Sequence, residues 1–243
     1  TDPARTPDAE AIAATLPAGS GVVFRAFGAA DAIERGLRLA AVCRARGMTL
    51  LAGADDELAR VMGSLKKAFR LAPGAEISIE VDPRTASPER LRHLRNLGFN
   101  RISFGVQDFA TPVQMKINRL QTFGLVKAAT EFLREAGFTS VNFDLMYGLP
   151  AQTVESVAKT AQQAASLKPE RISVFGYAHV PWFKKHQKMI NDADLPGVNA
   201  RYDQATTIER ELNAHGYASI GLDHFALEND ELTLAARNGT MRR

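Results

Sequence analysis

The sequence predicts an α/β fold, in which six strand–helix units form an open (β/α)6 TIM-like partial barrel in preference to a flat, doubly wound sheet. Six short segments rich in apolar and β-branched residues recur along the chain. Each precedes a stretch whose apolar residues recur at three- and four-residue spacing, as on the buried face of a helix. Glycines mark the ends of three such stretches: Gly47, Gly98 and Gly137. Strands that alternate with helices in this way pair in parallel.

The predicted elements follow in chain order. Residues 1–19 are rich in proline and alanine and form a loose lead-in with one short helix at 8–15. The strands are predicted at 21–25, 48–52, 76–80, 101–104, 141–145 and 171–175. The helices between them are predicted at 31–46, 56–69, 87–97, 123–136 and 154–167, and a helix at 202–214 and a strand-like stretch at 217–222 follow. In a barrel of this kind the reactive groups lie on loops at the carboxyl ends of the strands.

The composition excludes several classes of partner. The 30 basic and 27 acidic side chains leave a formal net charge of +3 without a long basic run, so we expect no nucleic-acid surface. No stretch of about 18 apolar residues and no cleavable signal pattern occurs, so we expect no membrane span. The single cysteine, Cys43, rules out an internal disulfide framework. The expectation is a cytoplasmic monomer.

Seven short strings at or beyond the strand ends carry a family resemblance. They are EVDP at 80–83, GVQDF at 105–109, INR at 117–119, NFDLMYGLP at 142–150, YAHVP at 177–181, DADLP at 192–196 and GLDHFA at 221–226. In order and spacing they resemble the motifs of the oxygen-independent coproporphyrinogen III oxidases (coproporphyrinogen dehydrogenases). These enzymes belong to the radical S-adenosylmethionine (radical SAM) superfamily. The resemblance covers about residues 55–243 and implies a partial barrel of the radical SAM type.

That resemblance implies roles for five residues. Glu80 would receive the ribose hydroxyls or the ammonium group of one S-adenosylmethionine. Four residues would surround a second molecule of the cofactor: Gln107, Arg119, Asp144 and Ala178. Arg119 is the natural partner for a carboxylate, because its planar fork binds both oxygens. No residue is assigned a catalytic or a metal-binding role.

Taken singly, each of these residues also has a purely structural interpretation. Glu80 or Asp144 at a strand end could cap the next helix or pair with an arginine. Arg119 and its neighbour Asn118 could form a solvated turn. His179 and His224 lie inside the strings, so a pocket position and a surface position stay open for both. The remaining histidines are expected at the surface: His93, His186 and His215.

The sequence lacks the ligands of the family's iron–sulfur cluster. Radical SAM enzymes hold a [4Fe–4S] cluster through the thiolates of a Cys-x3-Cys-x2-Cys loop after the first strand, since soft ligands bind such clusters. Here that strand ends in RAFGAAD at 25–31, without a cysteine, and Cys43 falls within a predicted helix as a small buried residue. Without the cluster no electron reaches the sulfonium group. We therefore expect neither a 5′-deoxyadenosyl radical nor turnover by this chain.

The resemblance implies an oxidoreductase of haem biosynthesis. Its reaction converts two propionate side chains of the tetrapyrrole coproporphyrinogen III to vinyl groups by oxidative decarboxylation and yields protoporphyrinogen IX. Two alternatives stay open, namely a non-redox module that binds S-adenosylmethionine or a tetrapyrrole, and a chimeric fragment without activity.

The domain organisation bears on the chimeric alternative. Residues 16–55 resemble the start of a thiamine-phosphate-synthase-like barrel, without the diphosphate- and metal-binding motifs of that family. The predicted domains are therefore the lead-in at 1–19, two βα units of separate origin at 20–55, and a radical SAM core portion at 56–243. The last of these stops before the family's C-terminal domain.

Overall fold

The computed structural model describes residues 8–18, 20–24, 32–52 and 55–241. The chain forms two compact units, residues 1–75 and residues 76–243, called here the first and second units. The predicted end of the first strand at Arg25 and the loop at 25–31 lie outside the described residues. The predicted domain divisions after residues 19 and 55 stay predictions.

The described part of the first unit contains two parallel strands and three helices. These are α1 (Ala9–Thr15), β1 (Gly21–Phe24), α2 (Ala32–Ala45), β2 (Thr49–Ala52) and α3 (Asp55–Ala68). The register of β1 and β2 pairs Gly21 with Thr49. A small apolar cluster includes Val22, Leu39 and Met48, together with Cys43, which is 1% exposed. Burial raises the pKa of the Cys43 thiol.

The second unit is built on a mixed sheet. Its strands are β3 (Ser78–Val81), β4 (Arg101–Gln107), β5 (Ser140–Tyr147), β6 (Arg171–Gly176), β7 (Tyr217–Gly221) and β8 (His224–Leu227). Its helices are α4 (Pro88–Leu97), α5 (Thr111–Lys116), α6 (Phe123–Glu135), α7 (Val154–Ser166), α8 (Val198–Ala214) and α9 (Glu231–Arg237). Within the described residues the strand order is β3-β4-β5-β6-β8-β7. Strands β3 to β6 run parallel, and β8 pairs antiparallel with both β6 and β7.

Local signals explain where the helices of the second unit begin and end. The side chain of Ser87 accepts from the Arg90 N–H at the start of α4, and Thr153 caps α7 through the Ser156 N–H. Gly98, at φ 103°, ends α4 in the left-handed conformation that glycine adopts without a Cβ clash. The apolar side chains of the central strands are fully buried, among them Phe104 and Phe143. The helices thus cover a continuous apolar core.

The α/β class is confirmed, and all six predicted strand positions are strands with parallel partners. Strand β3 begins later than predicted, at Ser78, because the Ile77 N–H is taken by the Asn100 side chain. The sequence analysis missed α5, β8 and α9. Helix α5 has only 6 residues, too few to show a helical period. Strand β8 follows a tight turn at Leu222, which adopts φ 49° although such turns usually carry glycine or asparagine.

No helix in the described ranges is both long and apolar enough to span a lipid bilayer.

Candidate functional site

One face of the parallel strands in the second unit is polar. Side chains alternate along a strand, so Ser103 of β4 shares this face with Asn142 and Asp144 of β5. Ser103 Oγ donates to Asp144 Oδ2 at 2.9 Å, and Asn142 Nδ2 donates to Asp144 Oδ1 at 2.8 Å. With Glu80 and His224 these side chains line a space of about 300 Å³, which we call the face cavity.

Two arginines line the face cavity at the amino ends of the strands. Arg101 opens β4, is 5% exposed, and meets Glu76 at 2.7 Å. Arg171 opens β6 and meets Asp230 at 3.0 Å, Glu231 at 3.1 Å and Glu76 at 3.4 Å. Both guanidinium groups are therefore neutralised by the protein itself.

A larger space lies at the carboxyl ends of β4, β5 and β6. This edge cavity has a volume of about 630 Å³, within the range of about 300–1,000 Å³ typical of small-molecule sites. Gln107, Arg119, Met146, Tyr177 and Ala178 line it. Beneath it lies a buried apolar cluster of Val113, Leu149 and Tyr177. The edge cavity thus combines an apolar floor with a few polar groups.

Arg119 is the central cation of the edge cavity. Its Nη2 donates to the Gly105 carbonyl at 2.9 Å, and its Nη1 lies 3.2 Å from Asp82 Oδ2. Its Nε atom is buried without a hydrogen-bond partner among the described residues. Desolvation lowers the pKa of Arg119, with a further contribution from the like charge of Arg84, against the pull of Asp82. The guanidinium therefore retains capacity for a ligand acceptor.

Unusual backbone conformations bring these groups together. The register between β4 and β5 shifts between Gly105 and Gln107, and Gln107 adopts φ 65°. Asn118, next to Arg119, adopts φ 51°, which asparagine tolerates better than most residues. A Cβ on Gly105 would lie 2.9 Å from Gln107 Nε2 and 3.2 Å from Arg119 Nη2. Glycine at this position leaves room for the side chains of Gln107 and Arg119 to pack against the backbone of β4.

A buried network of amides fixes the loop that carries Arg119. Gln114 Nε2 donates to the Gln121 carbonyl at 2.6 Å, and Gln114 Oε1 accepts from the Gln121 N–H at 3.0 Å. The Gln121 side chain donates to the Val106 carbonyl and, at 3.3 Å, to the Gly105 carbonyl. Gln121 Oε1 is buried without a hydrogen-bond partner among the described residues. The other hydrogen bonds of this network are buried, and they hold the loop at 117–121 against β4.

The network continues through a buried carboxylate. Asp108 is 0% exposed and accepts from Gln152 Nε2, from Thr160 Oγ1 at 2.9 Å and from the Ala110 N–H at 2.6 Å. Burial raises the pKa of Asp108, although these donors oppose the rise. Gln152 Oε1 accepts from the Leu149 N–H at 2.7 Å. Asp108 thus links the end of β4 to the segment that follows β5.

A second polar chain lies on the β6 side of the edge cavity. Tyr177 Oη and His179 Nδ1 are 3.0 Å apart, and His179 Nε2 lies 2.9 Å from Asp192 Oδ1. Burial raises the pKa of the Tyr177 phenol. The described residues show no group of three or more His, Cys, Asp or Glu side chains placed to hold a metal ion.

The structure distributes the five predicted residues between the two cavities. Gln107, Arg119 and Ala178 line the edge cavity, whereas Glu80 and Asp144 line the face cavity. Asp144 pairs with Gly105 in the strand register, and Gln107 lies two residues further along β4. The residues of the face cavity and those of the edge cavity therefore lie at different positions along the strands of one sheet. Their roles toward S-adenosylmethionine stay predictions.

The histidines differ partly from expectation. His224 lines the face cavity, and His179 bridges Tyr177 and Asp192. His186, expected at the surface, is exposed but also lines the edge cavity.

The sequence analysis missed the residues that hold the site in place. Asp82 and Asp108 lay within recognised strings, yet the strings alone gave them no role. Asp82 also meets Arg119, and Asp108 also accepts from Gln152 and Thr160, all of which are distant in the chain. The glutamines at 114, 121 and 152 had no periodic signal. A count of polar residues within apolar stretches would have marked Gln114, which is 4% exposed.

The donor set does not fit a [4Fe–4S] cluster. The chain contains one cysteine, and a cluster of this superfamily needs three thiolates. Cys43 lies on α2 inside the apolar cluster of the first unit, where burial raises the pKa of its thiol and disfavours the thiolate. We derive no chemical step through a cluster.

Comparisons with known proteins agree with the geometry. The model of the radical SAM superfamily matches residues 26–164. The chain is 48% identical over 190 residues to the oxygen-independent coproporphyrinogen III oxidase of Bradyrhizobium diazoefficiens, covering 78% of this chain and 42% of that protein. It is 47% identical over 187 residues to the enzyme of Escherichia coli K12, covering 77% and 41%. It therefore spans about two fifths of the length of these relatives.

A solved structure is also similar. The coproporphyrinogen III oxidase of Escherichia coli, described as a radical SAM enzyme, matches with a TM-score of 0.75 and 42% identity, over 87% of this chain and 50% of that one. These comparisons confirm the resemblance and the open, partial α/β barrel of the radical SAM type. The superfamily match begins at residue 26, so it includes most of the segment for which a separate origin was considered.

Proposed function

This chain belongs to the radical SAM superfamily, and we propose that it provides the cofactor- and substrate-binding core of an oxygen-independent coproporphyrinogen III oxidase. The proposed reaction is oxidative decarboxylation of two propionates of coproporphyrinogen III, in haem biosynthesis in the cytoplasm. Support comes from relatives that carry this name and match over about two fifths of their length.

The convergence of Gln107, Arg119 and Ala178 on the edge cavity carries the proposal. S-adenosylmethionine presents a carboxylate, an ammonium group, ribose hydroxyls and an adenine. Arg119 Nε, which is buried and has no partner among the described residues, suits the carboxylate, and Gln107 offers an amide to a hydroxyl or to adenine. The backbone at Ala178 gives close access because its side chain is small. Glu80 and Asp144 in the face cavity offer carboxylates to the ammonium and ribose groups of a cofactor molecule.

S-adenosylmethionine supplies a 5′-deoxyadenosyl group for radical chemistry in this superfamily. That chemistry needs an electron from a cluster, which the one cysteine of this chain does not hold. We propose that the 243 residues bind ligands without turnover, and that the cluster thiolates must come from outside them. This non-redox binding role is favoured over a fragment without any activity by the buried, unpartnered nitrogen of Arg119.

Calorimetric titration with S-adenosylmethionine tests the binding role. We expect weak binding by the unmutated chain and a further loss of about 1.5–3 kcal/mol in Arg119→Ala, because a charge-assisted pair in a desolvated site is removed. Arg210→Ala is the matched control, since its side chain is 69% exposed on α8. Absence of heat with the unmutated chain would remove the cofactor site and leave a tetrapyrrole-binding module or the fragment without activity.

Anaerobic incubation with iron and sulfide tests the second part. We expect no stoichiometric cluster in the visible spectrum and no release of 5′-deoxyadenosine. A stoichiometric [4Fe–4S] spectrum from this chain would contradict our account of its donor set.

A further inference from the structure

The segment at 181–189, called here the aromatic-basic segment, exposes an unusual amount of apolar surface beside the edge cavity. Trp182 is 79% exposed, Phe183 74% and Met189 70%. The same stretch contains Lys184, Lys185 and Lys188 and no acidic residue. Exposed aromatic side chains in contact with water are unfavourable, and contiguous apolar patches of this kind usually mark binding sites.

The conformation of the aromatic-basic segment is fixed by one buried side chain. Gln187 is 8% exposed, its Oε1 accepts from the Val180 N–H at 2.6 Å, and its Nε2 donates to the Ala178 carbonyl at 3.0 Å. The Phe183 and Lys184 N–H groups also donate to the Val180 carbonyl, at 2.9 and 2.8 Å. The segment is therefore fastened to the end of β6 while Trp182 and Phe183 face the solvent.

The segment is continuous with the edge cavity. Lys184, His186 and Met189 line that cavity together with Tyr177. The Lys184 ammonium lies 4.9 Å from the centroid of the Phe183 ring, so aromatic and cationic groups are presented side by side.

The neighbouring acidic groups do not neutralise this surface. Asp192 and Asp194 follow the segment in the chain, but their carboxylates contact other residues: Asp192 Oδ1 lies 2.9 Å from His179 Nε2, and Asp194 Oδ2 lies 2.7 Å from Lys116 Nζ. The three lysines of the segment thus leave a cationic rim around two exposed aromatic rings.

We propose that the aromatic-basic segment is the platform for the tetrapyrrole substrate. The ligand it fits is a flat or dished macrocycle with several carboxylates: the rings of Trp182 and Phe183 contact the macrocycle, and the lysines pair with its propionates. Coproporphyrinogen III has four propionates, whose charge is opposite in sign to that of the three lysines. This assignment rests on the proposed function for the name of the ligand, while the surface itself selects an aromatic polyanion. Its opening onto the edge cavity favours a small molecule over a membrane surface.

Trp182 is the only tryptophan of the chain, so its fluorescence reports on this segment alone. The probe is coproporphyrin III, the air-stable oxidised macrocycle with the same four propionates. We expect it to quench Trp182 in a saturable manner, and we expect added salt to weaken the binding because exposed ion pairs are screened. A tetracationic porphyrin of the same ring size serves as the ligand control and should bind far more weakly.

Charge reversal at the lysines is the decisive variant. K184E/K185E/K188E should bind coproporphyrin III about tenfold to a hundredfold more weakly, because three attractive pairs become repulsive. The matched control is K127E/K159E/K168E, which makes the same change in net charge at exposed lysines of the second unit. Phe183→Ala should weaken binding by about tenfold, with the exposed Phe69→Ala as its control. Circular dichroism and the thermal midpoint show whether each variant is folded.

Several outcomes would overturn the platform. Equal affinity of the two triple variants excludes the lysines, and equal affinity for the cationic porphyrin excludes charge recognition. Retained heat with S-adenosylmethionine but no binding of coproporphyrin III would remove the tetrapyrrole platform and leave the cofactor site standing. Binding of the segment to anionic phospholipid vesicles in place of the porphyrin would assign it to a membrane surface instead. Porphyrin binding without S-adenosylmethionine binding would support the platform and contradict the cofactor site.

Discussion

Two arginines near opposite ends of the parallel strands have opposite surroundings. The Arg171 side chain at the start of β6 is 13% exposed and meets three carboxylates, those of Glu76, Asp230 and Glu231. The Arg119 side chain beyond the end of β4 is 23% exposed and, within the described part of the chain, meets one carboxylate, that of Asp82. Asp82 is itself shared with Arg84, at 2.7 Å.

This difference in pairing suggests different roles for the two arginines: Arg171 contributes to stability, and Arg119 is available to a ligand. A buried cation whose nitrogens are all paired is costly to remove, because its partners would be left as uncompensated charges, and it has no capacity left for a ligand. A cation that keeps one buried donor unpaired loses stabilisation but can donate to a carboxylate from outside. The amino ends of the strands thus carry the paired arginines, and the carboxyl ends carry the proposed ligand site, which is where parallel α/β folds usually bind ligands.

The largest expected effect concerns Arg171. Arg171→Leu should lower the free energy of unfolding by about 3–5 kcal/mol, because it leaves the carboxylate of Asp230, 9% exposed, without its cation. Arg119→Ala should lower it by only about 1 kcal/mol, since a single partly exposed pair is lost. Urea denaturation of both variants measures the two effects. Equal losses would break the comparison between the two ends of the strands.

The sequence was sufficient to predict those strands and helices whose residues follow a periodic pattern. The spacing of apolar residues and the glycines at helix ends predicted the strands and most helices, because both signals depend on residues close together in the chain. The hairpin of β7 and β8 was not predicted as a hairpin, since a strand as short as β8 shows little periodicity and its turn residue, Leu222, is atypical. The antiparallel pairing of β8 with β6 depends on contacts about 50 residues apart.

The site was predictable only in part, for a physical reason. Family strings pointed to Gln107, Arg119 and Ala178, which the structure brings to one cavity. Their supports were not predictable, because Gln114 and Gln121 act through buried hydrogen bonds to backbone atoms, which leave no pattern in the sequence. The exposure of Trp182 was equally hidden, since an aromatic residue in a loop is usually packed against something.

Asp108 extends the comparison between the two ends of the strands, because this buried carboxylate supports the loops at the carboxyl ends. Asp108→Asn should cost about 1–3 kcal/mol of unfolding free energy, since an amide N–H2 group would face the Gln152 donor. Gln152 cannot turn over, because its Oε1 accepts from the Leu149 N–H. Chemical denaturation at neutral pH measures this loss, with Asn118→Asp as a control change of opposite charge on the nearby loop.

The pH dependence of the free energy of unfolding, compared between the unmutated chain and Asp108→Asn, gives a second measurement. Burial raises the pKa of Asp108 in the folded chain above its value in the unfolded chain. Between these two pKa values the folded chain binds a proton that the unfolded chain has released. The free energy of unfolding should therefore fall as pH rises through this window and be level above it. Asp108→Asn should remove that slope, and an unchanged slope would show that other groups cause it.

The smallest expected effect concerns Asp82, the one acidic partner of Arg119 among the residues that the structure describes. Partial burial acts to raise the pKa of Asp82, but hydrogen bonds from Arg84 and the charges of Arg119 and Arg84 outweigh it, so that pKa lies below its ordinary value. The resulting stabilisation is present above the unfolded pKa and is lost as pH falls through the folded pKa. Asp82→Asn should remove this pH dependence, with a loss at neutral pH below about 1 kcal/mol.

Asp82→Asn also tests whether Arg119 is available to a ligand. The substitution keeps the shape of the side chain and its acceptor for the Arg84 N–H, at 3.0 Å, but it removes the charge that competes for the guanidinium. We therefore expect S-adenosylmethionine to bind about two- to fivefold more tightly, opposite in sign to Arg119→Ala. Calorimetric titration of the two variants and of Asp82→Asn/Arg119→Ala measures the coupling. If Asp82→Asn weakens binding as much as Arg119→Ala does, Asp82 orients Arg119 and does not compete with the ligand.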